Sequence, residues 1–416
     1  MVLNYVWISF FVIAFVVALL KSIQVGNIEL FTTIVESMLK TAKVAVLDVG
    51  IPLAGAMIFF LGLMKIAERA GAINFLARKL NPFLKRLFPE LPEKHPAMGE
   101  MVMNFSANML GLDNAATPFG LKAMKSLEEI NPNKGTASNA QIMFLVMHTS
   151  GLTLIPLSII GYRVAANSTE PSSIFIPCVL ATLSATLASI LIVGIKQKLK
   201  FDRVLITWLG ALLTIIIGIL VLVQVLPLST KDAITKHSGN VILLTLVVAI
   251  LLGGMRKKLN VFDTFIDGAK EGWDVVIKIL PYLVGMLVSI AAFRECGALM
   301  YITDSIKFVV VSLGLNADFV EALPVAIMKP FSGSGARGLL LDIFDVTKNP
   351  TLGPDSFVGK LASIFQGSAD TTFYIIALYF GSVNIKNVRY SVWAGLMADF
   401  LGVIAAIIIG YIFFHG

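Results

Sequence analysis

Asp370 lies in the middle of an otherwise uncharged apolar stretch, inside Gln366-Gly-Ser368-Ala-Asp370-Thr371-Thr372. A carboxylate left in hydrocarbon costs at least about 2.5–3.5 kcal/mol, so it needs water, a cation or a partner. Ser368, Thr371 and Thr372 supply hydroxyl oxygens beside it, and the group reads as an ion-coupling site that holds a sodium ion or takes up a proton. Upstream, Ser332-Gly-Ser334-Gly-Ala-Arg337 places a guanidinium just after a glycine-rich turn. That fork, with backbone N–H groups at a helix start, suits a carboxylate or a phosphate. An ion pair between Arg337 and Asp370 is the structural alternative.

The first half of the chain offers neutral groups instead. Asn104, Ser106, Asn108, Asn114 and Thr117 surround the break Asn108-Met-Leu-Gly-Leu-Asp-Asn114 and are suited to hydroxyls or amides on a solute. Asp113 either caps the following helix or meets solute. His148-Thr149 interrupts another apolar run, at the position matching Gly367. Its imidazole would bond solute or relay a proton, or else bond a backbone carbonyl freed by unwinding. Asn108, Asn114, Thr117, His148, Thr149, Ser332, Ser334, Arg337, Gln366 and Ser368 are thus the expected solute-binding set.

No nucleophile, base and orienter converge, so no catalytic residue and no enzyme is expected. No His, Cys, Asp or Glu grouping has metal-ligand spacing, and Cys178 and Cys296 read as packing residues. Gly333-Ser-Gly335-Ala-Arg-Gly338 fits a dinucleotide fingerprint by letter, but lacks the strand that such a fingerprint follows. No P-loop is present either, so no cofactor beyond a sodium ion or proton is expected.

Elements able to position such residues are membrane helices. Of the 416 residues 57% are hydrophobic and 14% charged, with mean hydropathy +0.85, outside the range of soluble domains. Apolar runs near 3–21, 45–64, 136–160, 172–195, 203–226, 240–255, 273–293, 356–380 and 390–413 give about nine spans. No Lys or Arg precedes the first run, so it reads as a retained helix rather than a signal peptide. The net charge of +7 comes from Lys and Arg between the runs, as at Arg78-Lys79, Lys196-Lys200 and Arg256-Lys258. These orient the chain in a bacterial inner membrane, N-terminus cytoplasmic and C-terminus outside, and imply no nucleic-acid partner.

The two ends of the chain repeat one order of features. Ile51-Pro52 leading to Gly71-Ala72 matches Leu280-Pro281 leading to Gly297-Ala298. An amphipathic stretch follows each, 72–90 and 299–313, read as a helix lying on the membrane surface, with a bend or break at Pro82. Next come a short polar break, read as a re-entrant hairpin tip, and a long span that should unwind. The expected fold is all-α and polytopic, with two inverted repeats at 1–200 and 236–416 joined by a linking transmembrane helix in 201–235.

Asn108-Met-Leu-Gly-Leu-Asp-Asn-Ala-Ala-Thr-Pro-Phe-Gly-Leu-Lys-Ala-Met124 resembles the hallmark of spore maturation protein A. Lys329-Pro-Phe-Ser-Gly-Ser-Gly-Ala-Arg-Gly338 and Gly367-Ser-Ala-Asp-Thr-Thr-Phe-Tyr374 resemble spore maturation protein B. The resemblance is to a fusion of the two within the nucleoside-recognition, or gate, superfamily. It implies hairpin tips and unwound helices around a midplane site, and extends to nucleoside transporters and a ferrous iron transporter domain. The expected function is transport of a small polar, anionic or nucleoside-like solute, driven by sodium or protons, with the bilayer and a homo-oligomer as partners. The alternative is a non-transporting envelope or spore maturation factor acting through a protein partner or a lipid-linked precursor.

Overall fold

The computed structural model describes residues 2–25, 28–92, 95–347 and 351–415, and these are almost entirely helical, without a β-strand. Helix α1 (Val2–Val25) is followed by α2 (Glu29–Val44), which one π-helical turn joins to α3 (Ile51–Arg69). Then come α4 (Ala72–Leu87), α5 (Pro96–Met109), α6 (Asp113–Glu129), α7 (Asn139–Thr149), α8 (Leu157–Ala165) and α9 (Phe175–Lys196). The long helices α10 (Arg203–Val225), α11 (Leu228–Arg256) and α12 (Val261–Glu295) lead to α13 (Ala298–Ser312). The chain ends with α14 (Leu323–Met328), α15 (Gly333–Phe344), α16 (Phe357–Gly367), α17 (Thr372–Ser382) and α18 (Ser391–Phe414).

Seven helical stretches among the described residues are long and apolar enough to cross a bilayer: α1, α2–α3, α9, α10, α11, α12 and α18. Most of the apolar side chains of α10 and α11 are not buried against protein, as suits helices that face lipid. The chain is a multi-pass membrane protein. The two other expected spans are each split, into α7 and α8 with 11 and 9 residues and α16 and α17 with 11 each. At about 1.5 Å per residue no half reaches across a core of about 30 Å.

One order of elements occurs twice. A long helix (α3, α12) ends at a left-handed glycine, Gly71 with φ 89° or Gly297 with φ 87°. An amphipathic helix (α4, α13), a helical hairpin (α5–α6, α14–α15), a split helix and a final long helix (α9, α18) follow in each half. Corresponding long helices pack on one another, α3 on α12 and α9 on α18. Gly268 and Gly272 let α3 approach closely, since a Cβ there would come within 2.5 Å of the Leu61 carbonyl oxygen and 2.8 Å of that of Met57. Lys65–Glu271 at 2.9 Å and Arg69–Asp267 at 3.0 Å tie one end of the pair.

Local sequence explains the start of several of the short helices. Pro96 sits at the first position of α5, where its missing N–H costs nothing. Ser138 and Gln141 form a reciprocal capping box on α7, while Ser332 and Ser356 cap α15 and α16. A bend or break is expected at Pro82; helix α4 continues through it unbroken, with Phe83, Leu84 and Leu87 buried. Every residue of α7 from Ala140 to Thr149 is buried, as an all-round apolar helix must be when protein surrounds it.

Candidate functional site

The two split helices meet at their breaks. Asp370 N–H donates to the Thr149 carbonyl at 2.8 Å, so an amide and a carbonyl released by unwinding satisfy each other. Gly151, with φ +60°, lies so close that a Cβ would sit 3.0 Å from Asp370 N. Each hairpin tip bonds the break of its own half: Leu154 N–H donates to Met109 O at 2.9 Å and Phe373 N–H to Pro330 O at 3.0 Å. Four irregular segments thereby converge.

Between them lies a cavity of about 900 Å³, within the usual range for small-molecule sites. Asn108, Ser332, Ser334, Arg337, Gln366, Asp370 and Thr371 of the expected set line it. Aromatic walls come from Tyr162, Tyr282, Tyr374 and the stacked pair Phe331–Phe373, whose centroids are 5.1 Å apart. Arg337 lies over the Tyr162 ring at 5.2 Å, a cation–π contact.

Of the remaining expected residues, Thr117, His148, Thr149, Ser368 and Thr372 do not line this cavity. Thr149 is buried, its hydroxyl donating to Val146 O at 2.9 Å. Ser368 is also buried and donates to Phe365 O. Thr117 stands on α6 outside the lining. The side chains of Asn114 and Asp113 lie outside the described residues. Thr372 is fully buried and donates to Asp399 Oδ2 at 2.6 Å.

His148 is buried behind the cavity and bonds side chains, in place of the backbone carbonyl considered from sequence. Asn104 Nδ2 donates to the Ala116 carbonyl at 2.8 Å, which turns Asn104 Oδ1 toward His148 Nδ1 at 2.9 Å. Asn108 Nδ2 also lies 2.9 Å from Nδ1 and donates to Asn104 Oδ1 at 3.5 Å. Tyr379 approaches Nε2 at 3.4 Å, and Asp370 Oδ2 is 3.7 Å from it. Asp370 is thus linked to His148 and to the Thr371 N–H at 2.8 Å, with no ion pair to Arg337.

Residues 51–166, which run from α3 to α8, match the family model described as Gate: Nucleoside recognition. The chain is 44% identical over 164 residues to spore maturation protein B of Bacillus subtilis (strain 168), covering 39% of this chain and 88% of that protein. It is 40% identical over 189 residues to spore maturation protein A of the same organism, covering 45% of this chain and 92% of that protein. The chain belongs to the spore maturation protein A and B family. No solved structure matches it.

In this family member, sequence reasoning passed over Lys329, Tyr379, Arg163 and Asp399. Asp399 carried the same signal as Asp370, an acid inside an apolar run, and sits in α18 at 6% exposure. Lys329 lines the cavity and donates to Gln366 O at 2.8 Å. Arg163 is fully buried in the last turn of α8, bonding Pro171 O, Glu170 O and the Asp355 carboxylate.

Proposed function

We propose that this protein is a carrier for a small polar solute, which binds in the cavity between the hairpin tips and the two helix breaks. The reading rests on that convergence: backbone at two breaks and two tips is irregular where hydrogen-bonding side chains gather, among helices otherwise built for lipid. Irregular backbone and ionisable groups are costly inside a bilayer, and their use as a solute site is what repays that cost. The element order, repeated in the two halves, fits an inverted pair moving against one another around a fixed site.

The driving ion, sodium or a proton, would sit on the buried side. There Thr372 and Asp399 meet behind the second break, and Thr371 and Asp370 face the cavity. Asp399 Oδ1 has no partner among the described residues, which leaves a binding position for the ion. The chain would lie in a bacterial inner membrane with its N-terminus cytoplasmic, by the distribution of Lys and Arg between spans.

The test is uptake into proteoliposomes of amino acids, nucleosides, small carboxylates and phosphates under an imposed sodium or proton gradient. A matching thermal-shift screen should show about 2.7 kcal/mol of stabilisation at 100 times the dissociation constant. Uptake of one class that needs the gradient supports a coupled carrier. Folded protein that neither accumulates nor binds any class would instead fit a factor acting through a protein or lipid-linked partner.

A further inference from the structure

Two cations and one anion line the cavity; Lys329 donates to the Gln366 carbonyl at 2.8 Å, whereas Arg337 and Asp370 have no Lys, Arg or carboxylate partner among the described residues. The Arg337 guanidinium stacks on Tyr162, has no carboxylate partner among the described residues, and its Nε has no hydrogen-bond acceptor. Asp370 has no Lys or Arg partner among the described residues, and 45% of its side-chain surface is accessible. Among the described residues its Oδ1 accepts only the adjacent Thr371 N–H, and its Oδ2 stands 3.7 Å from His148 Nε2. Gln366, 4% exposed and also in the lining, has no partner for its Oε1 among the described residues.

Charges in a partly enclosed, apolar-walled site are poorly screened, so each is stabilised by an opposite charge on the solute. A neutral nucleoside would leave both unmatched. A monoanion would answer Arg337 and be repelled by Asp370, and a cation would do the reverse. A solute bearing both a carboxylate and an ammonium matches each group, and Gln366 Oε1 is a further acceptor for an ammonium or amide N–H.

Resting on the carrier reading, we propose that the solute is a zwitterion of the amino-acid or short-peptide class. Its carboxylate lies on Arg337 and its ammonium on Asp370. The aromatic wall at Phe331 and Phe373 takes the apolar part of the solute.

The experiment measures binding to the detergent-purified full chain. Its panel contains the common amino acids and dipeptides, their carboxamides, their N-acetyl derivatives, and uridine. A zwitterion should bind, and its carboxamide and N-acetyl forms should bind about tenfold to a hundredfold more weakly. Arg337→Gln should remove discrimination against the carboxamide alone, and Asp370→Asn that against the N-acetyl form alone. Arg337→Lys and Asp370→Glu, with the unliganded melting temperature of each variant, separate lost recognition from lost folding. Stronger binding of uridine or of an N-acetyl acid than of every zwitterion would overturn this assignment and leave the carrier reading standing. Binding of nothing in this panel or in the broader uptake screen would count against both.

Discussion

At the scale of single residues, the two intramembrane acids have different surroundings. Asp370 opens to the cavity, whereas Asp399 is enclosed and bonded through one oxygen to Thr372. The charged groups bearing on Asp399 are Lys329 and Asp370. Asp399→Asn should therefore keep solute binding and abolish dependence of uptake on the driving ion, while Asp370→Asn should weaken solute binding itself. Parallel equilibrium binding and gradient-driven uptake separate the two, and equal loss of binding in both variants would refute this division. Arg163 makes a different case, because its bonds to Pro171 O, Glu170 O and Asp355 join the first split helix to the loop before the second. Arg163 is fully buried and Asp355 about a third exposed, so Arg163→Met, which strips the Pro171 and Glu170 carbonyls and the carboxylate of this donor, should lower the thermal midpoint.

Asp355, in that loop outside the membrane-spanning segments, adds a pH dependence. Burial alone would raise its carboxyl, but hydrogen bonds from the Ser168 hydroxyl and from the Thr169 N–H and hydroxyl, with Arg163 alongside, hold it below the ordinary carboxylate value. A depressed folded pKa means stability that is fully present above the unfolded value of about 3.9 and is lost as pH falls through the folded one. Asp355→Asn should reduce stability at neutral pH and flatten the acid limb of unfolding. An unchanged acid limb would show that Asp355 does not carry it.

Among elements, the crossing of the two breaks is the tightest constraint. Gly151 combines φ +60° with backbone of the opposite break 3.0 Å from where a Cβ would lie. Gly151→Ala carries a left-handed penalty of about 1–2 kcal/mol and must also push Asp370 away from Thr149. Uptake should fall strongly while the protein still folds, a result read from transport beside a melting curve. Transport at wild-type rate would mean that the contact between the breaks is dispensable. The breaks were legible in sequence because Gly, Ser and Thr interrupt otherwise apolar runs. That they cross, with Asp370 N–H on Thr149 O, was not, since the two segments lie about 220 residues apart and no local pattern encodes their pairing.

At the scale of the whole molecule, the connections 197–202 and 257–260 should lie on one membrane face, because α10 and α11 cross between them. In a background lacking Cys178 and Cys296, Lys198→Cys and Lys258→Cys should both react with a membrane-impermeant maleimide from the cytoplasmic side only. Labelling from opposite sides would overturn the topology. Hydrophobic content and run length sufficed to indicate membrane helices, because the bilayer imposes one length and one polarity on whatever crosses it. The same logic marked Asp370, Arg337 and the hairpin tips, since polar groups stand out in apolar sequence. Tertiary structure alone decided which of them share a space: Ser332, Arg337, Gln366 and Asp370 line the cavity, Thr372 turns away to Asp399, and His148 is enclosed by Asn104, Asn108 and Tyr379. Composition and spacing report that a polar group must be satisfied, but only the packed helices determine by what.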